Sequence, residues 1–190
     1  VKYRFEIKGA GARTGDLPET GVHALRTAAD CVTRLRCGHV SPDSVVGIAN
    51  LLCPGQTGTV PARASFEVAI CSYDEEELRA LSDEAMQTVE TTCAEQGAQC
   101  TSERSCVAPA YRIPADAPLL RRICRGLTEL GYAPAIGQPL RCSDAAWLAE
   151  GGRTAIEIGV GVQNAHSCGE HILFEDIALT TELLLKLLTE

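Results

Sequence analysis

The side chains best suited to chemistry lie near the end of the chain, where Ala165-His166-Ser167-Cys168-Gly169-Glu170-His171 gathers two imidazoles, a thiol and a carboxylate in one short stretch. Before it runs Thr154-Ala155-Ile156-Glu157-Ile158 and then Gly159-Val160-Gly161, which read as a buried strand delivering a loop. Histidine is the commonest metal ligand, and loops at strand ends are where α/β enzymes place working groups. His166 therefore reads in one of three ways. It is one ligand of a metal site completed from elsewhere, a member of a local site with Cys168, Glu170 and His171, or a structurally satisfied histidine. Crowding within so few residues argues against the local site.

The other dense carboxylate group is Asp74 to Glu77. Paired carboxylates can bind metal or act as acid and base, but these fall in the first turn of an expected helix. There, negative charge complements the helix macrodipole without any site. Ten cysteines are spread along the chain with no Cys-x-x-Cys pair, and the spacing of Cys93, Cys100 and Cys106 matches neither a zinc knuckle nor a redox pair. Most are expected to act as small core hydrophobes.

With 190 residues, 45% apolar and 22% charged, the chain can bury a true core in one or two domains. A net charge of -8 leaves no cationic surface to replace phosphate counterions, so neither nucleic acid nor an anionic membrane is expected as a partner. No signal peptide or apolar run of membrane length is evident, and a reducing cytoplasm is the expected compartment. Val1 in place of methionine fits removal of residues from the front.

The elements that must position these groups follow from periodicity. Residues 1 to 9 alternate apolar and charged, as in a strand with one wet face. Val22, Leu25, Ala28, Ala29, Val32 and Leu35 describe a helix stopped by Gly38, with His23 off its stripe and exposed. Ser44 to Leu52 and Ala64 to Cys71 read as a hairpin around a turn at Gly55 to Gly58. Ser72 with Glu75 forms a capping box for a helix striped by Leu78, Leu81, Ala85, Val89 and Cys93, and a strand spans residues 99 to 107. The order βαββαβ is the ferredoxin-like split unit, a fold compatible with many functions.

After Ala108-Pro109-Ala110 a different unit begins. A helix over residues 119 to 130, a strand at 133 to 136, a short helix opened by Ser143-Asp144 and a buried parallel strand at 155 to 160 precede a last helix. Apolar residues surround so much of that helix that it is expected to be buried. Two strands are few for a doubly wound sheet, and the remainder is expected from another chain or from sequence before Val1.

Gly9 to Leu25, with Gly15, Pro18-Glu19 and Gly21-Val22-His23-Ala24, Gly55 through Val60-Pro61, Phe66-Glu67-Val68, Ser143-Asp144, and Gly159-Val160-Gly161 with His166 and Glu170 occur in a telling order. Together they resemble the co-catalytic zinc exopeptidases and deacylases that include peptidase T-like aminotripeptidases, carboxypeptidase G, aminoacylase and succinyl-diaminopimelate desuccinylase. In that family a ferredoxin-like lid and dimerisation domain interrupts the catalytic domain. The resemblance implies that residues 1 to 110 are the lid and 111 to 190 a returning, incomplete α/β segment of the zinc-hydrolase domain, so the chain is α/β in the broad α+β sense. It further implies His166 as a zinc ligand, Ser143, Asp144 and Arg13 beside the substrate, a homodimer through the lid, and a small peptide or N-acyl amino acid as substrate.

The sequence also departs from the family. Arg13 stands where the lid carries a histidine, Gly58 where it carries an asparagine and Cys71 where it carries an arginine, and Pro139-Leu140-Arg141-Cys142 replaces glycines. A guanidinium at position 13 can bind a carboxylate in place of an imidazole donor. The half supplying a His-x-Asp motif and the general base is absent, so no catalytic residue is assigned here. Zinc binding awaits a complementing N-terminal catalytic chain. The leading expectation is a portion of a zinc hydrolase, inactive alone. The alternatives are a catalytically dead relative serving as a dimerisation or small-ligand-binding module, and a fragment without function of its own.

Overall fold

In the computed structural model the described residues are 1–16, 18–137, 140 and 143–189. They form two compact units, Val1–Val107 and Ala108–Glu190. Most of the Pro139 to Cys142 departure thus lies outside the described residues.

Unit 1 begins with β1 (Lys2–Lys8), whose alternation buries Tyr3, Phe5 and Ile7 and turns Arg4, Glu6 and Lys8 outward. Next come β2 (Ala12–Arg13), a single 3-10 turn at Pro18–Thr20 and α1 (Ala24–Arg34). Strands β3 (Gly38–Ser41), β4 (Ser44–Leu52), β5 (Thr59–Val60) and β6 (Arg63–Ser72) lead to α2 (Glu75–Glu95) and β7 (Gln99–Ser105). The main sheet has the order β3-β4-β6-β1-β7 and every neighbouring pair is antiparallel. Without the short edge strand β3, which periodicity does not reveal, this is the ferredoxin-like arrangement, a mixed α+β fold with helices on one face of an antiparallel sheet.

The core lies between that sheet and α1 and α2. Phe5 and Phe66 are fully buried, paired across β1 and β6, with ring centroids 5.2 Å apart. From the helices, Ala28, Cys31, Leu81, Ala85, Val89 and Cys93 close over them. The buried face of α1 runs through Ala24, Thr27, Ala28 and Cys31, so the apolar stripe expected from Val22 and Leu25 is rotated. A polar seam replaces the rest of it. Thr27 donates to Gln96 at 2.8 Å, Gln96 donates to Asp30 at 2.7 Å, and Arg34 bridges Asp30 and Glu95 at 3.0 and 2.6 Å.

Both helix starts correct the sequence reading. His23 is the N-cap of α1, its Nδ1 accepting from the Arg26 amide at 3.3 Å, and is not a free surface side chain. The cap of α2 is Asp74, whose carboxylate accepts from the Glu76 and Glu77 amides at 2.8 and 3.3 Å. Ser72 instead accepts from the Asp74 amide, and no Ser72–Glu75 box forms. Asp74→Ala is expected to cost about 1 kcal/mol, read as a lower urea midpoint at unchanged slope. An unchanged midpoint would remove Asp74 from the cap.

The carboxylates of residues 74 to 77 are accordingly a helix start. Of the nine described cysteines only Cys31 and Cys93 are buried, while Cys37, Cys106 and Cys168 are exposed, so most are not core hydrophobes.

Unit 2 contains α3 (Pro118–Glu129), α4 (Asp144–Glu150) and α5 (Phe174–Thr189). Its small core joins Ile123 and Gly126 of α3 to Leu183 of α5, so close that a Cβ on Gly126 would lie 3.0 Å from Leu183 Cδ1. Arg122 donates to the Leu187 carbonyl at 2.6 Å, and Lys186 sits 2.8 Å from Glu129, holding that carboxyl below its ordinary range.

Two expectations fail here. Residues 133 to 136 and 155 to 160 form no strand among the described residues, because a strand needs a neighbour to take its backbone hydrogen bonds. Nor is α5 buried. Leu183 is covered, but Phe174 is 79% and Leu188 83% exposed.

Candidate functional site

The residues singled out from the sequence fall into two places, one in each unit. In unit 1, Arg13 is on the two-stranded ribbon of β2 and β5, directly opposite Thr59. Beside it the Thr14 amide donates to the Gly58 carbonyl at 3.0 Å. The two family positions that differ here, 13 and 58, are therefore brought together at one end of this ribbon. The Arg13 side chain is 80% exposed and its guanidinium is 3.5 Å from Asp16. Cys71 lies elsewhere, on β6 opposite Val45 of β4.

In unit 2, Gln163 and His171 exchange both backbone hydrogen bonds, at 2.8 and 3.2 Å, and so close a loop. Inside it Ser167 donates to the Asn164 carbonyl at 2.7 Å, and the Glu170 amide donates to Ser167 at 3.1 Å. The Glu170 carboxylate accepts from the His166 amide at 2.5 Å, so Glu170 acts on the backbone of His166. His166 itself has φ 63° and Asn164 φ 52°. A non-glycine residue in this left-handed region carries strain that its surroundings must overcome, and such residues concentrate at functional sites. The loop therefore presents the exposed imidazole of His166 from a fixed backbone.

The base of the loop is fixed as well. Gly161 has φ +81°, and a Cβ there would lie 2.5 Å from Oδ2 of Asp176 in the first turn of α5. Only glycine lets the loop and helix meet this closely.

Ser143 is the N-cap of α4, its Oγ accepting from the Ala145 amide at 3.2 Å, and Asp144 occupies the first helical turn. Each has a structural role at the helix start. The capping roles of His23 and Asp74 and the backbone role of Glu170 were hidden in sequence.

The local site of His166, Cys168, Glu170 and His171 does not form. The Glu170 carboxylate is taken by the His166 amide, and His171 Nδ1 lies 2.8 Å from the Gly169 carbonyl. No three His, Cys, Asp or Glu side chains among the described residues converge as metal ligands. A hydrolytic zinc site needs about three protein ligands and an open position. The residues present do not fit such a site by themselves, and His166 offers one ligand only.

No family model matches the chain. Over all 190 residues it is 20% identical to the uncharacterized protein YqjE of Bacillus subtilis, of which it spans 51%. Among solved structures, aminopeptidase PepT of Bacillus cereus superposes with a TM-score of 0.75 at 26% identity, covering 97% of this chain and 50% of that one. A tripeptidase of Staphylococcus aureus gives 0.79 at 22% identity, covering 97% and 49%. A hydantoinase/carbamoylase-family amidase of Burkholderia vietnamiensis gives 0.80 at 19%, covering 97% and 46%.

The chain thus spans about half the length of the relatives it matches. The chain is similar to these peptidases and amidases over about half of their length, and its mixed α+β fold, an antiparallel sheet with helices, is shared with them.

Proposed function

We propose that this chain is the lid and returning segment of a zinc-dependent hydrolase that cleaves small peptides or N-acyl amino acids, inactive alone and competent when joined to the other half of its relatives' length. The supporting observation is the 26% identity to an aminopeptidase in a superposition that covers 97% of the chain. The fixed loop carrying His166 suits a partner that adds further ligands. On this reading His166 holds one zinc, Ser143, Asp144 and Arg13 line the substrate region, the lid pairs two copies, and the assembly works in the cytoplasm.

The test is assembly. The chain alone is expected to bind well under one zinc per copy, and stoichiometric zinc would end the claim that ligands are missing. Co-expression with the coding region preceding Val1 is expected to give tripeptide hydrolysis. In that assembly His166→Ala should cost more than the roughly 100-fold that bounds loss of a ligand's supporting partner. A zinc-loaded assembly without hydrolysis would instead favour a dead relative serving dimerisation or ligand binding. The joint replacement at positions 13 and 58, close together at one end of one ribbon, gives that second reading its support.

A further inference from the structure

Helix α5 carries two apolar faces, and within unit 2 only one of them is covered. The covered face turns Leu183 and Leu187 against Gly126 of α3. The other is a stripe of Phe174, Ile177, Leu184, Leu185 and Leu188, all of them exposed. At about 100° per residue these positions fall within about a third of the helix circumference, the width of a face that ordinarily packs on a core.

Nothing polar interrupts the stripe. Thr181, which falls within it, turns its hydroxyl back onto the Ile177 carbonyl at 2.8 Å, and Glu175, Glu182 and Lys186 lie on other sides of the helix. Leaving so much apolar surface in water is costly, and contiguous patches of this kind mark places where another surface belongs. The occupant must offer an apolar face along the 16 residues of α5, a length of about 24 Å. The aminopeptidase and the tripeptidase on which 97% of this chain superposes each leave about half of their own length outside that superposition, enough for such a face.

We propose that the outer stripe of α5 is the seat of the half of the relatives' length that this chain does not span. The inference rests on the assembly proposed above and names its contact surface. The seat also bears on His166. Gly161, just before the His166 loop, lies so close to Asp176 in the first turn of α5 that a Cβ there would come within 2.5 Å of Oδ2. A partner that fixes α5 thereby fixes the base of the loop that presents the imidazole.

The test compares the chain with its Leu184→Asp and Leu188→Asp variants, each co-expressed with the separately tagged coding region preceding Val1. Both leucines face water in the chain alone, so each variant by itself is expected to unfold at the parent's urea midpoint. A lower midpoint would mean that the stripe is already covered and would overturn the proposal. The parent is expected to form a one-to-one complex by native mass, and each variant to bind at least about tenfold more weakly, because the complex would bury an unpaired carboxylate. Glu182→Gln, off the stripe, should bind like the parent. Aspartate variants that bind as tightly as the parent, or a parent that forms no complex, sink the idea. So does self-association of the chain alone that Leu184→Asp abolishes, which gives the stripe to a second copy.

Seat and hydrolase reading fail separately. A complex that Leu184→Asp disrupts but that cleaves no tripeptide keeps the seat and removes the hydrolase. Hydrolysis that survives both aspartates keeps the hydrolase and removes the seat.

Discussion

Phe66→Ala is expected to remove about 4 kcal/mol from the stability of unit 1, the usual range for a fully buried phenylalanine cut to alanine being about 3–5. The ring has no exposed surface, sits at the centre of β6 and stacks on Phe5 of β1. Truncation loses both the transfer free energy of the ring and its contacts. Collapse into the gap is opposed by the register, because Phe66 faces Phe5 directly and both strands are pinned along their length. The measurement is urea unfolding followed by circular dichroism. A drop in midpoint at constant slope, with Glu103→Gln on the exposed edge strand within about 0.5 kcal/mol of the parent, is the expected pattern. A loss under about 1 kcal/mol would mean that the sheet does not pack around this pair.

Gly9→Ala is expected to cost about 3 kcal/mol by the opposite route, overpacking against backbone. A Cβ at Gly9 would lie 2.0 Å from the Val22 carbonyl oxygen and 3.2 Å from the Ala24 amide nitrogen. Neither can yield cheaply. Gly9 donates to the Ala62 carbonyl at 2.9 Å, Ala10 and Val22 exchange hydrogen bonds at 3.0 and 2.9 Å, and Ala24 donates to Pro61 at 2.9 Å. Alanine must break part of this set and loosen the ribbon that holds Arg13 and Gly58. Hydrogen exchange at the Ala10 and Val22 amides should rise in step with the fall in melting temperature. Unchanged exchange there would locate the strain elsewhere.

The ferredoxin-like unit was legible because its signals are local and agree. The period of two in β1, the stripe of α2 and the hairpin each point to the same fold. What escaped depended on partners. The helix caps are set by which side chain reaches which amide, so Asp74 displaced Ser72 as a cap, and His23 acquired a role its position off the stripe concealed. The second unit failed for a physical reason of its own. Residues 155 to 160 have the composition of a buried strand, yet composition supplies no neighbour, and the chain covers about half of its relatives. At the candidate site the sequence located His166 and its loop but not the means of holding it. The Glu170 carboxylate grips a backbone amide, an interaction that side-chain spacing alone does not distinguish from metal ligation.

Strand β1 lies between β6 and β7, with Lys2 paired to Ala69 on one side and to Ser105 on the other. The first strand of this sheet in chain order is thus the one whose place in it is completed last. During synthesis its apolar face, Tyr3, Phe5 and Ile7, must wait through roughly a hundred further residues, several seconds at ordinary elongation rates, before both edges are covered. Such long-range closure slows folding. It leaves this short apolar segment as the part of the nascent sheet that stays uncovered longest.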